Sequence, residues 1–179
     1  MLVASLALVG IAALVVPLLV RYLGRFTGYP LALVFLISAG LLLVDAPEVM
    51  RGETVVQSWQ WVAAFDVQFT LRLNGLSLLF AMLVLGVGAL VLSYAPQYLD
   101  PSYEVGRLYT VFTLFGAAML GVVLSGDLIL LLVFWEITSL SSFLLVAGSG
   151  KAGTWPAIRA LVITGLGGLA LFGAVVLLA

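Results

Sequence analysis

The residue in this sequence best suited to chemistry is a carboxylate set inside an apolar run. Asp127–Ala147 reads DLILLLVFWEITSLSSFLLVA, and Glu136 falls near its midpoint. At about 1.5 Å per helical residue, roughly 20 residues cross a bilayer core of about 30 Å, so Glu136 is expected near mid-depth. An acid at a helix centre there costs about 2.5–3.5 kcal/mol and is therefore rare. Thr138, Ser139, Ser141 and Ser142 follow it, and their hydroxyls can bond to their own helix or to neighbours, giving the carboxyl a polar setting. Two roles are open. In the structural one, a neutral Glu136 is hydrogen-bonded to Ser and Thr and joins helices. In the functional one, it is a proton or cation site, since a low dielectric holds the proton on a carboxyl and a nearby cation releases it. An ionised Glu136 asks for a cation at its own depth. Lys151 and Arg159 lie toward the ends of their spans, so that partner would sit on a segment outside this sequence.

Asp127 is the other acid of this stretch. It follows the short turn Ser125-Gly126, where a helix N-terminus favours negative charge. It reads as an N-terminal cap, with a possible second role at the outer mouth of an ion path.

The elements that must position these residues follow from composition. Of the 179 residues 64% are hydrophobic and only 8% charged, against about 25% charged in soluble domains. Mean hydropathy is +1.31. The chain is an all-α polytopic membrane protein in contact with a lipid bilayer. There are no cysteines and no histidines, so disulfides, Fe–S ligation, Cys/His zinc sites and His-ligated haem are out, and the commonest general base is missing. No catalytic residues, metal ligands or cofactors are expected, and with no basic patch no nucleic acid either. Met1–Val20 has no basic residues before it, while Arg21 and Arg25 come after it. That order is the reverse of a signal peptide's, so the stretch reads as a retained span.

Six apolar runs can be counted: Leu2–Val20, Pro30–Val44, Gly75–Ala95, Val105–Leu124, Asp127–Ala147 and Pro156–Leu178. Pro17 is expected to bend the last turn of the first, Pro96 to stop the third, and Thr154-Trp155-Pro156 to start the sixth. Residues 1–44 form two N-terminal transmembrane helices, 45–74 an extracytoplasmic loop and 75–179 four further helices. In the loop, Val67, Phe69, Leu71 and Leu73 alternate with Gln68, Thr70, Arg72 and Asn74, and Val55–Trp61 is a suitable partner strand. A small β-hairpin is expected there, with Trp59 and Trp61 near the headgroups. If the spans alternate, Arg21, Arg25, Arg107, Lys151 and Arg159 share one side. Arg51 and Arg72 share the other with Asp45, Glu48, Glu53 and Asp66. By the positive-inside rule the N-terminus lies outside. Thr113, Ala117, Gly121 and Ser125 make a ladder of small residues at steps of four, which allows another helix backbone close approach. Gly165, Gly167, Gly168 and Gly173 suggest the same for the last span.

Three stretches together resemble the antiporter-like membrane subunits shared by Mrp-type multisubunit sodium/proton antiporters and respiratory complex I. They are FTLRLNGLSLLFAMLVLGVGALVLSYAPQYL (Phe69–Leu99), LSGDLILLLVFWEITSLSSFLLV (Leu124–Val146) and AIRALVITGLGGLALFGAVVLLA (Ala157–Ala179). The middle stretch, in its FWE-x-T-S-x-S-S-F-L-L form, is most similar to the large A subunit of the Mrp antiporters. The first resembles the N-terminal region shared with complex I chain 5. The resemblance implies that Glu136 belongs to an ion-translocation path and pairs with a lysine on a later, broken helix. It implies protons and Na+ as the transported ions, the cytoplasmic membrane as location, and other membrane subunits of a hetero-oligomeric complex as partners. Family members carry a second inverted repeat that these residues lack. The chain is thus expected to be the N-terminal part of a longer subunit or a split-gene product needing its C-terminal counterpart. The runner-up is a membrane-arm subunit of a proton-translocating NADH:quinone oxidoreductase. A structural membrane subunit with a neutral, hydrogen-bonded Glu136 is the third reading.

Overall fold

A computed structural model describes residues 1–62, 67–99, 105–147 and 154–178. The elements run α1 (Leu2–Leu23), a 3-10 turn (Gly24–Thr27), α2 (Gly28–Val44), α3 (Ala46–Met50), β1 (Val55–Val62), β2 (Val67–Leu73), α4 (Gly75–Tyr98), α5 (Val105–Leu124), α6 (Leu128–Ala147) and α7 (Thr154–Leu178). Six of these helices are the six apolar runs. Lys151 and Asp66, used above for the charge balance, lie outside the described residues.

Gly24 ends α1 with φ of 57°, a conformation that costs glycine little. The chain turns back, and α1 and α2 stand side by side. Their seam is polar: the Ser5 and Ser38 hydroxyls are buried 2.6 Å apart, each within reach of the other's backbone carbonyl at 3.2 and 3.1 Å. Neither proline ends its helix. Pro17 lies inside α1 and Pro96 inside the last turn of α4. Tertiary packing holds the Pro96 turn, since Gly28 of α2 abuts the Leu92 carbonyl, which Pro96 leaves without its helical donor. A Cβ on Gly28 would stand 2.8 Å from Pro96 Cγ.

Helices α1, α2, α4 and α5 form a four-helix bundle around Phe35, which is fully buried. Gly88 of α4 and Gly116 of α5 close on its ring. A Cβ at either would lie 2.5 or 2.7 Å from a ring carbon. Helix α6 docks on α5 by setting Phe134 into the notch at Gly121, a rung of the small-residue ladder. Helix α7 docks on α6 in turn.

The two ends of the bundle differ in charge. At one end, Tyr109 donates to the Arg25 carbonyl at 2.8 Å and Arg107 Nη2 to the Leu144 carbonyl at 3.3 Å. These bonds gather the α1–α2 turn, the start of α5 and the end of α6 beside Arg21, Arg25 and Arg107. At the other end lies the antiparallel hairpin, with Val55 opposite Leu73 and Trp59 opposite Phe69. Leu71 and Leu73 point into the core, whereas Trp59 is exposed. The hairpin ties three helix starts. Gln57 Oε1 accepts from Val3 N (3.4 Å). Asn74 and Ser77 form a capping box on α4. Gly126 N, in the turn before α6, donates to Thr70 O (2.8 Å).

Candidate functional site at the α6–α7 edge

Glu136 stands eight residues into α6, about 12 Å from its start at 1.5 Å per residue. Two opposite faces of this helix are occupied differently. Phe134, Thr138 and Ser141 lie within about 60° of one another at 100° per residue, on the face that docks into α5. Glu136 is turned about 160° away from Phe134 and meets α7 at Gly168. A methyl group on Gly168 would meet Glu136 Oε1, the free end of a side chain, so the carboxyl would have to swing aside for α7 to stay this close. Beside it runs an open groove of about 500 Å³, lined by Leu132 and Glu136 of α6 and by Leu161, Gly165, Leu169 and Phe172 of α7.

Glu136 is half-buried, and among the described residues it has no ion pair and no hydrogen bond from its side chain. The hydroxyls that follow it are engaged elsewhere. Thr138 and Ser139 donate to the Trp135 carbonyl (2.7 and 3.2 Å) and Ser141 to the Ile137 carbonyl (2.6 Å). Each such bond satisfies the hydroxyl within its own helix. Of the expected polar shell, Ser139 comes nearest in angle, about 60° from Glu136; Ser142 is about 120° and Thr138 about 160° away. Asp127 caps α6, its Oδ1 accepting from Ile129 N (2.7 Å) and Leu130 N (3.4 Å). Asp127 and Glu136 are thus about 13 Å apart along the axis, at the end and the middle of one helix. Among the described residues no three acidic side chains gather that could hold a metal ion.

Sequence reasoning missed two features that place the site. One is the pairing of Gly168 with Glu136. The other is the stitch from β2 to the turn at Ser125-Gly126, where Leu71 bridges Ser125 and sets the start of α6. The Gly167-Gly168 pair in the sequence was the available signal for the first.

A bundle of apolar helices long enough to cross a membrane, with one mid-span carboxyl on an open helix pair, defines a polytopic membrane protein. Residues 59–107 match the family model described as NADH-ubiquinone oxidoreductase (complex I), chain 5 N-terminus. The Na(+)/H(+) antiporter subunit A1 of Staphylococcus aureus is 41% identical over 172 residues, which is 94% of this chain and 22% of that protein. In solved structures, a chain of the Mrp complex from Dietzia sp. DQ12-45-1b matches with a TM-score of 0.85 and 40% identity, over 97% of this chain and 19% of that one. A chain of a membrane-bound sulfane sulfur reductase, an archaeal respiratory membrane complex, shares the fold with a TM-score of 0.79 at 21% identity, over 93% and 34%. Over nearly its whole length the chain is thus a homologue of the A subunit of Mrp-type Na+/H+ antiporters, and within residues 59–107 it is similar to complex I chain 5. It spans about a fifth of the length of the A1 subunit it matches.

Proposed function

We propose that this chain supplies the first helices of the A subunit of a multisubunit Na+/H+ antiporter in the cytoplasmic membrane, and that Glu136 is a proton-accepting group of its translocation path. The observation that carries this reading is the carboxyl itself, at mid-span, in a groove and with no partner among the described residues. A charge at that depth needs compensation. A groove open beside it leaves room for a cation-bearing segment from the C-terminal remainder of the subunit or from a neighbouring one. Approach and withdrawal of that cation would move the proton on and off Glu136. Ser139 is the hydroxyl closest in angle to the carboxyl, with Thr138 and Ser142 further round the helix. Asp127 stands where the path would open, at the outer end of α6. The concentration of Arg21, Arg25 and Arg107 at the opposite end supports an N-terminus on the outside.

The match of residues 59–107 to complex I chain 5 favours one second reading, a membrane-arm subunit in which the same carboxyl serves redox-driven proton pumping.

Glu136→Gln tests both in the complete complex, because Gln keeps size and hydrogen bonding but cannot ionise. Na+-dependent dissipation of a proton gradient in membrane vesicles is expected to disappear while complex assembly persists. Full exchange by the Gln variant would leave Glu136 a purely structural residue. Quinone-linked pumping without Na+ exchange in the wild type would favour the second reading.

A further inference from the structure

A second open groove, of about 390 Å³, lies between α1 and α5 at the arginine-bearing end, far from Glu136. Pro17 and Val20 of α1 and Val111 of α5 give it apolar walls, and Gly106, Arg107 and Thr110 complete it. Gly106 faces Val20, and a Cβ there would meet Val20 Cγ1 at 3.4 Å, an ordinary van der Waals contact. Thr110 donates its hydroxyl proton to the Gly106 carbonyl (2.8 Å) and has none left to offer into the groove. Arg21 follows Pro17 by four residues and therefore shares its face of α1, one turn nearer the helix end. Arg107 is exposed and uses one of its five N–H donors on Leu144. The apolar slot between two spans thus carries Arg107 in its wall, and Arg21 stands one helical turn beyond Pro17 on α1.

We infer that this groove is a binding site for an anionic diacyl phospholipid, the acyl chain lying along Pro17, Val20 and Val111 and the phosphate between Arg21 and Arg107. Charge complementarity selects the occupant. A zwitterionic lipid would satisfy the apolar walls but bring a phosphate already balanced by its own cation, whereas an anionic lipid sets uncompensated negative charge against the arginines. A soluble phosphate would match the arginines and leave the apolar slot empty. The end of the bundle that carries these arginines is the one that the charge bias assigns to the cytoplasmic leaflet, whose surface is negative.

The experiment is a lipid titration of the purified complete complex, read by native mass spectrometry and by melting temperature. Phosphatidylglycerol, phosphatidylcholine and glycerol phosphate are the three probes. The wild type should gain melting temperature selectively with phosphatidylglycerol, and R21A/R107A should bind it about 30-fold more weakly. R21K/R107K should retain most of the gain, because the attraction is largely that of charge. The read quantity is the difference between the two lipids within one variant, so a uniform change in basal stability does not enter. If the double variant does not assemble, the exposed single change Arg21→Gln reads the same difference at about a fifth of wild-type affinity. Equal response to both lipids, equal response to glycerol phosphate, or an unchanged difference in the arginine variants would each overturn the proposal.

Discussion

Phe35 and Glu136 both lie against glycine, and the two places are finished differently. Around Phe35, glycines from two other helices close on one ring, and the side chain is fully buried. Around Glu136, one glycine closes one side and a groove of about 500 Å³ opens on the other. The first arrangement is complete within α1, α2, α4 and α5. The second lacks a wall. Helix α7 shows the same contrast along its length, since Ile163, Leu166, Leu169 and Leu177 are all more than 60% exposed. The chain therefore combines a closed bundle with an open edge, and Glu136 sits on the edge.

The largest effect should come from emptying the finished side. Phe35→Ala leaves a void that two glycine backbones cannot fill, and cavities in well-packed cores cost about 3 kcal/mol or more. Lipid tails are as apolar as the core, so the lost packing rather than the transfer from water should dominate. A drop of about 2–3 kcal/mol is expected in unfolding of the detergent-solubilised complex. An unchanged midpoint would show that the bundle is not the stable half.

Next comes a change at the edge. Gly168→Val should displace the Glu136 carboxyl from its place against α7, since the added atoms meet it. Overpacking costs about 1–3 kcal/mol where neighbours cannot move. Here α7 is open on its other side, so the cost should lie near the low end. Vesicle transport should nonetheless be lost. Gly116→Val is the matched control: the same graft inside the bundle meets Phe35 and should impair assembly itself. Equal behaviour of the two variants would erase the distinction between edge and bundle.

A smaller effect is expected at the hairpin. Asn74→Ala removes the side-chain acceptor of the α4 cap, a loss of about 1 kcal/mol. Hydrogen exchange should rise first in Gly75–Leu78, the turn whose amides lose their acceptor. Protection around Phe35 should stay, because the cap lies outside the buried ring of helices.

How much of this was legible in the sequence depends on how local each signal is. The six spans were readable because bilayer thickness sets their length, and the hairpin because Val67–Leu73 alternates with a period of two. Glu136 stood out because an acid in that setting is costly. The position of Pro96 inside its helix was not readable: whether a proline ends a helix depends on what its freed carbonyl meets, and Gly28 against Leu92 is a contact between residues 64 apart. The orientation of Thr138, Ser139 and Ser141 was open for a similar reason. A hydroxyl can bond back to its own helix or across to a neighbour, and only the packing of α6 between α5 and α7 decides.

The smallest expected effect sharpens the comparison from the polar side. Ser5 and Ser38 form the buried hydroxyl pair of the bundle, as Glu136 is the buried acid of the edge. Interhelical hydrogen bonds in membrane proteins average about 0.6 kcal/mol. Ser5→Ala should cost no more than that, because Ser38 Oγ can still donate to the Ser5 backbone carbonyl at 3.1 Å. Ser38→Ala should behave alike, for the mirror-image reason. The double variant S5A/S38A removes both partners together and leaves no lone donor, a change that is close to neutral when shape is kept. A double-mutant cycle on the melting free energy should thus return a coupling below about 1 kcal/mol, with exchange activity intact. If S5A/S38A stopped transport while the complex still assembled, ion movement would involve the α1–α2 seam. The bundle could then no longer be regarded as scaffold alone.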